Sequence, residues 1–246
     1  MTYQPYHILG ADRPSRWLVT VDHAANTVPD AVNGGDLGIA AADMQRHIAY
    51  DVGAAGVGAR LGELLDAPVI LSNFSRLVID PNRGEDDPTL LMKLYDGTII
   101  PANRHADAAE VERRLTAYHR PYHAALEELA ARREDIVILA IHSFTPRLQG
   151  REPRPWHLGV LHAGEDAFSR AVLARLRREN DLCIGDNEPY AGHLPGDSID
   201  RHALAQGRAN TLIEVRNDLV REAEGQRGWA ERLAPLLTDA LADSAV

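Results

Sequence analysis

Two patterns of apolar and polar positions alternate along the chain. Short unbroken apolar runs stand at residues 17–21, 68–71, 136–142, 158–161 and around Ile213. Runs of that length, bounded by Gly, Pro, Asn and Asp, predict strands buried on both faces of a largely parallel sheet. Longer stretches with helical spacing lie between them, at 43–65, 108–134, 165–180 and 220–242. Asp43 is placed to cap the first of these helices, and His47 and Asp51, four residues apart, would then share a face. Pro121 should break or kink the second near Arg120. Glycines 53, 56, 58 and 62 are poor helix formers, and their clustering predicts close packing against the sheet.

The remaining segments read as loops. Residues 22–38 are rich in Asp, Asn, Gly and Pro, and a loop longer than ~12 residues is more often functional than idle. Polar loops follow at 84–88 and 145–155, an irregular segment at 89–107 with a turn at 101–103, and a second long loop opening at 186–190. Strand and helix alternate without repeats or linkers. The pattern predicts a layered α/β fold, with residues 1–246 as one domain.

Composition narrows the function. Hydrophobic residues make up 45% and charged residues 25%, the balance of an ordinary globular protein. A formal net charge of −10 argues against nucleic-acid binding and against attraction to anionic membranes. An anionic small substrate remains compatible, because a few arginines in a dry pocket outweigh distant surface charge. The single cysteine, Cys183, excludes an internal disulfide framework and reads as a small buried residue. With no basic leader followed by an apolar stretch, and no apolar run of ~20 residues, the expectation is a cytoplasmic protein.

The candidate chemistry collects where apolar runs stop. The run at 17–21 leads to His23, and that at 136–142 delivers His142. Chemistry in α/β enzymes sits at the carboxyl ends of strands, and neutral imidazole is a common metal ligand. Catalytic zinc usually takes three protein ligands, and Asp51 or His47 could supply the third. Each histidine taken singly has the plainer reading of a strand-end hydrogen bond. Glu214 lies inside the apolar segment 211–216, where a carboxylate is costly to bury without a purpose. It reads as a general base, or as the partner of Arg216 or Arg76. Arg76, Asn82 and Arg83 flank the apolar Leu77, Val78 and Ile79. An arginine fork there suits a substrate carboxylate, and a second arginine could polarise a carbonyl. Arg113, Arg114 and the other helical arginines read as solvated. Ser143 adjoins His142, but neighbours on a strand face opposite ways and no Gly-x-Ser-x-Gly elbow is present, so a serine nucleophile is set aside. Nor does the chain carry a phosphate-binding glycine loop.

Six blocks together resemble the N-formylglutamate amidohydrolase family: residues 22–29 (DHAANTVP), 47–54 (HIAYDVGA), 75–83 (SRLVIDPNR), 142–146 (HSFTP), 186–190 (DNEPY) and 213–219 (IEVRNDL). The likeness spans most of the chain. It implies a three-layer α/β/α fold with a mixed, largely parallel sheet, similar to zinc carboxypeptidases and aspartoacylase. It implies one zinc ion per chain with His23 and His142 as ligands, and Glu214 as the base that later protonates the leaving amine. Asn82 and Arg83 would grip a substrate carboxylate, Arg76 would polarise the carbonyl, and Tyr190 would touch substrate. Where carboxypeptidases carry a glutamate three residues after the first histidine, this chain has Asn26. With 24–42 read as an insertion, Asp51 on the following helix takes the second-ligand place, with His47 as its competitor. The expected partner is a small anionic N-acyl amino acid, foremost N-formyl-L-glutamate. A deacylase for another N-acyl amino acid or peptide, and a non-catalytic metal- or anion-binding protein, are the alternatives.

Overall fold

The computed structural model describes residues 3–164 and 166–244. In chain order the strands are β1 (Tyr6–Leu9), β2 (Trp17–Val21), β3 (Val69–Ser72), β4 (Leu94–Tyr95), β5 (Thr98–Ile99), β6 (Val137–Phe144), β7 (Leu158–Leu161), β8 (Ile184–Asp186) and β9 (Ala209–Arg216). The helices are α1 (Ala54–Leu64), α2 (Pro101–Arg104), α3 (Ala108–Arg114), α4 (Arg120–Ala130), α5 (Ala167–Leu176), α6 (Ser198–His202) and α7 (Ala223–Asp243). Seven strands form one mixed sheet in the order β1-β3-β2-β6-β9-β7-β8, and β4 and β5 make a separate hairpin. The four central strands β3, β2, β6 and β9 run parallel. β1 pairs antiparallel with β3 at one edge, and β7 pairs antiparallel with β9 towards the other.

Both faces of the sheet are covered, which is why the central strands read as unbroken apolar runs. Val19, Leu139, Ile141 and Ile213 face a core built with α1, α5 and α7. Their neighbours Leu18, Ile138, Ala140 and Leu212 face a second core with Tyr122, Leu126 and Leu129 of α4 and with Leu77–Ile79. Helices on either side of a sheet make the predicted three layers. Among the described residues, no helix is long and apolar enough to cross a membrane.

Several elements depart from expectation. The helix drawn over 43–65 begins only at Ala54, after a single 3-10 turn at Asp43–Gln45. Gly53, with φ of 83°, stands just ahead of α1 in the left-handed region, where glycine fits without steric cost. Asp51 is therefore on a loop, and His47 and Asp51 share no helical face. β6 runs two residues past His142 to Phe144, so this histidine lies within a strand and not at its end. The stretch 108–134 is interrupted by a π-helical turn at Leu115–His119, which places Pro121 in the first turn of α4, where its missing N–H costs nothing. Segment 89–107 contains the β4–β5 hairpin and the short α2. The helix begun at Glu165 starts at Ala167, and Glu165 itself lies outside the described residues. Cys183 is exposed beside the edge strand β8. Arg114 is fully buried, bonded to Glu110, the Val78 carbonyl and Asn103.

Of the four clustered glycines, Gly58 and Gly62 pack against the sheet as expected, whereas Gly56 faces Gln226 of α7 and Gly53 faces the Val220 carbonyl. A Cβ on Gly58 would stand 2.5 Å from a methyl of Val21, and one on Gly62 would stand 2.1 Å from a methyl of Val69. Gly53 is the most constrained, since a Cβ there would lie 2.0 Å from the Val220 carbonyl oxygen. Gly53→Ala should therefore lower stability by about 3 kcal/mol through strain and overpacking. Gly228→Ala, in α7 with nothing within 4 Å, should raise it by about 0.5–1 kcal/mol. Denaturant unfolding of the two variants beside the parent checks the contrast in sign.

Candidate metal centre

The site forms at the carboxyl ends of the parallel strands. β2 ends at Val21 and hands on Asp22 and His23. On the neighbouring strands, register pairs His142 of β6 with Glu214 of β9, so the two side chains rise side by side from one face. Asp51 reaches them from its loop, which is tied down at several points. Its N–H donates to the His23 carbonyl at 2.9 Å, and the N–H of Arg76 and the hydroxyl of Ser75 both donate to the Ala49 carbonyl.

His23, Asp51 and His142 are all buried, and each offers a ligand atom within 4.8 Å of the others. Asp51 Oδ2 lies 2.9 Å from His142 Nδ1 and 3.4 Å from His23 Nδ1, and it accepts from the Ser143 N–H at 3.2 Å. The far side of each imidazole faces another carboxylate. His23 Nε2 donates to Asp80 Oδ1 at 2.7 Å, and His142 Nε2 stands 3.6 Å from Asp22 Oδ2. With each Nε2 proton turned outward, both Nδ1 lone pairs point at the carboxylate of Asp51. Lone pairs and a carboxylate converging in a buried space are satisfied by a cation between them, a proton or a metal ion. Two imidazoles and a carboxylate, each imidazole backed by a carboxylate, are a donor set that suits zinc.

The charges bear this out. Burial works against the imidazolium of His142, but its close contacts with the carboxylates of Asp22 and Asp51 outweigh it and hold its pKa well above the usual range. Burial would likewise raise Asp22 and Asp51, yet the histidines lower both, Asp22 to about 2. In the bare site protons occupy the place that a metal would take, so metal binding would release them. Glu214 shows the opposite shift. Burial, with Asp51 nearby, raises its pKa to about 7 despite the pull of His142, and its Oε2 is buried without a hydrogen-bond partner.

In front of these groups lies a cavity of about 260 Å³, lined also by Arg76, Asn82, Arg83, Tyr95, Tyr190, Leu161 and Leu212. All eight residues singled out in the sequence therefore meet at one place. Arg76 is committed to Asp80 through Nε at 3.1 Å and Nη2 at 2.8 Å, while its Nη1 lies 3.5 Å from Asp51. Arg83 donates to neutral oxygens, those of Thr89 and the Asn82 carbonyl. Asn82 Oδ1 accepts from the Ser198 N–H, and the Tyr190 hydroxyl accepts from Arg154. Arg216 pairs with Asp218 and not with Glu214. The two competitors for the ligand place stand aside. Asn26 donates to the Met44 carbonyl, and His47 Nε2 is 3.4 Å from Asp96 with its pKa lowered to about 4 by burial.

Sequence reasoning passed over Asp22 and Asp80. A signal was available: Asp22 directly precedes His23, and Asp80 sits between Arg76 and Asn82 in a block already marked. Their role is visible only once His23 and His142 turn their outer nitrogens towards them.

A buried histidine–aspartate–histidine set at the ends of parallel strands, with a glutamate alongside and a cavity in front, defines the site of a metal-dependent hydrolase. The profile of N-formylglutamate amidohydrolase matches residues 15–221, and the chain belongs to that family. Among solved structures it is similar to the gene product Atu2144 from Agrobacterium tumefaciens, with 31% identity, a TM-score of 0.93, and 99% of this chain and 97% of that chain covered. It also shares the fold of an N-formylglutamate amidohydrolase from Ralstonia eutropha JMP134, at 23% identity and a TM-score of 0.73, over 97% of each chain. No curated protein matches the sequence.

Asp22→Asn keeps the shape and the acceptor for the Tyr122 hydroxyl but removes the charge behind His142. Zinc affinity, measured by competition with a chromogenic chelator, should fall roughly 10- to 100-fold.

Proposed function

We propose that the protein is a zinc-dependent amidohydrolase acting on the linear amide of an N-acylated acidic amino acid. N-formyl-L-glutamate is its foremost substrate, and formate and glutamate are the products. The observation that carries this reading is Glu214, a buried carboxylate with an unpartnered oxygen beside the His23, Asp51 and His142 donor set. A bound zinc would supply a Lewis acid for the carbonyl and a lowered pKa for water.

The chain's own groups have complementary tasks. Glu214 accepts a proton at Oε2 as water adds to the formyl carbon. It then returns that proton to the amide nitrogen as the C–N bond breaks. Its raised pKa keeps it close to the neutral range where both transfers are accessible. The positive charge of a metal alongside would draw that pKa down again. Arg83 has a guanidinium whose bonds run only to neutral oxygens, and with Asn82 it grips a substrate carboxylate. That grip sets the carbonyl in place before reaction. Arg76 faces the cavity with Nη1, its least committed nitrogen, where it assists the carbonyl oxygen. Tyr190 forms part of the wall near the substrate.

Two variants test separate parts of this scheme. Glu214→Gln should reduce formate release from N-formyl-L-glutamate by about three orders of magnitude or more while one zinc per chain is retained. Near-normal turnover with bound zinc would overturn the role of Glu214. Arg83→Ala should raise KM roughly 10- to 100-fold for substrates with a free carboxylate and leave their amides unaffected. The same assay run on N-acetylaspartate and short peptides identifies the acyl group and amino acid preferred.

A further inference from the structure

Behind the pocket wall, His119, His123 and His202 are buried together where α4 meets α6, and none of them contacts the metal donor set. Two of them join a continuous hydrogen-bonded chain. Arg208 grips both oxygens of Glu127 at 2.7 and 2.9 Å, and Glu127 Oε2 lies 2.9 Å from His202 Nδ1. His202 Nε2 is 2.8 Å from His123 Nδ1, and His123 Nε2 is 2.9 Å from the Pro81 carbonyl oxygen. The two rings are tilted by only 20° with centroids 5.1 Å apart, which is the spacing of an N–H···N bond in the ring plane.

The chain ends impose a proton count. A carbonyl oxygen only accepts, so His123 Nε2 must carry a proton. The Glu127 carboxylate, lowered to about 2 chiefly by Arg208, also only accepts, so His202 Nδ1 must carry one. The link between the rings needs a third. Two neutral imidazoles hold two protons, so three intact hydrogen bonds require one more. Pro81 stands between Asp80, which orients His23, and Asn82 with Arg83 on the cavity wall. His119 Nε2 donates in turn to the Arg83 carbonyl at 3.0 Å.

We propose that His123 and His202 share one excess proton and act as positioning residues, holding the Asn82–Arg83 segment in register through the Pro81 carbonyl. The proposal rests on the reading of Asn82 and Arg83 as the carboxylate grip. Other charges bear on the pair from every side. Burial, the largest influence, holds both imidazoles below the usual histidine range, and His119 and Arg201 push His123 the same way. Glu127 and the more distant Asp22 pull the other way on the pair, and Tyr122 packs edge-on against His123. The chain is complete at low pH; as pH rises through the pKa of the pair the link between the rings loses its hydrogen, and His123 is no longer braced behind its bond to the Pro81 carbonyl.

Nitrogen-15 NMR of histidine-labelled, zinc-loaded protein counts the protons directly. At the low end of the pH range over which the protein stays folded and zinc-loaded, one of the four ring nitrogens of the pair should lack a proton, and two lacking one there would overturn the shared proton. Glu127→Gln supplies the functional half, since Glu127 is half exposed and remote from the cavity. An amide there can donate to His202 Nδ1, so the chain closes with two ring protons and the excess proton should leave. For the N-acyl amino acid that the parent turns over best, the parent's KM should rise about tenfold as pH rises through the pKa of the pair, with kcat unchanged. In the variant, whose chain is closed without the excess proton, KM should match the parent's low-pH value and the rise with pH should disappear. A parent KM that does not change with pH, or a variant whose KM rises with pH just as the parent's does, would overturn the positioning role. Absence of turnover by the parent on every N-acyl amino acid would instead sink the amidohydrolase reading and the positioning role with it, while the proton count would still stand.

Discussion

The site depends on one buried carboxylate. Asp51 lies between two imidazoles and a guanidinium, with Oδ2 shared by His142 and His23 and Oδ1 facing Arg76. An isolated carboxylate at that depth would cost on the order of several kcal/mol or take up a proton. Ringed by these groups it stays ionised. The backbone gives up a helix to place it: residues 46–53 run irregularly, and the left-handed turn at Gly53 delays α1 until the carboxylate has been delivered.

Around that centre, charge is arranged in nested contacts. Arg76 holds Asp80, which holds His23, and Tyr122 holds Asp22, which faces His142. Each outer group limits the rotation of the one inside it, so the imidazole Nδ1 atoms stay aimed at one small volume. Glu214 Oε2, like Asp22 Oδ2 and His142 Nε2, is buried without a hydrogen-bond partner. Stability alone gives no reason for a buried acceptor without a donor, and such groups gather at functional sites. Its place is set by backbone register, because β6 and β9 pair residue for residue along their whole length.

The same logic continues into the wall of the cavity. The segment 80–83 bears Asp80 behind His23 and Arg83 in front of the cavity, and the intervening carbonyls are held by histidines of α4 and the turn before it. Substrate-facing and metal-facing groups are thus carried on one short, heavily tethered loop. A shift of that loop would alter both together.

Local physics was enough to read the layers from the chain. Strands buried on both faces leave unbroken apolar runs, and helices leave a spaced stripe, so Trp17–Val21 and the helical character around α1, α4, α5 and α7 were legible. His23, His142 and Glu214 stood out because polar groups at the ends of such runs are costly, and the quoted motifs joined them to Asp51, Asn82, Arg83, Arg76 and Tyr190. Tertiary structure decided what spacing could not. Asp51 meets His142 across 91 residues and Asp80 meets His23 across 57, through side-chain contacts that leave no periodic trace. Helical spacing drew Asp51 onto α1, but the helix starts only after the left-handed Gly53, which packs against the Val220 carbonyl. Apolar pattern marks which residues are buried. Which buried residues touch is settled only when the sheet order brings distant strand ends side by side.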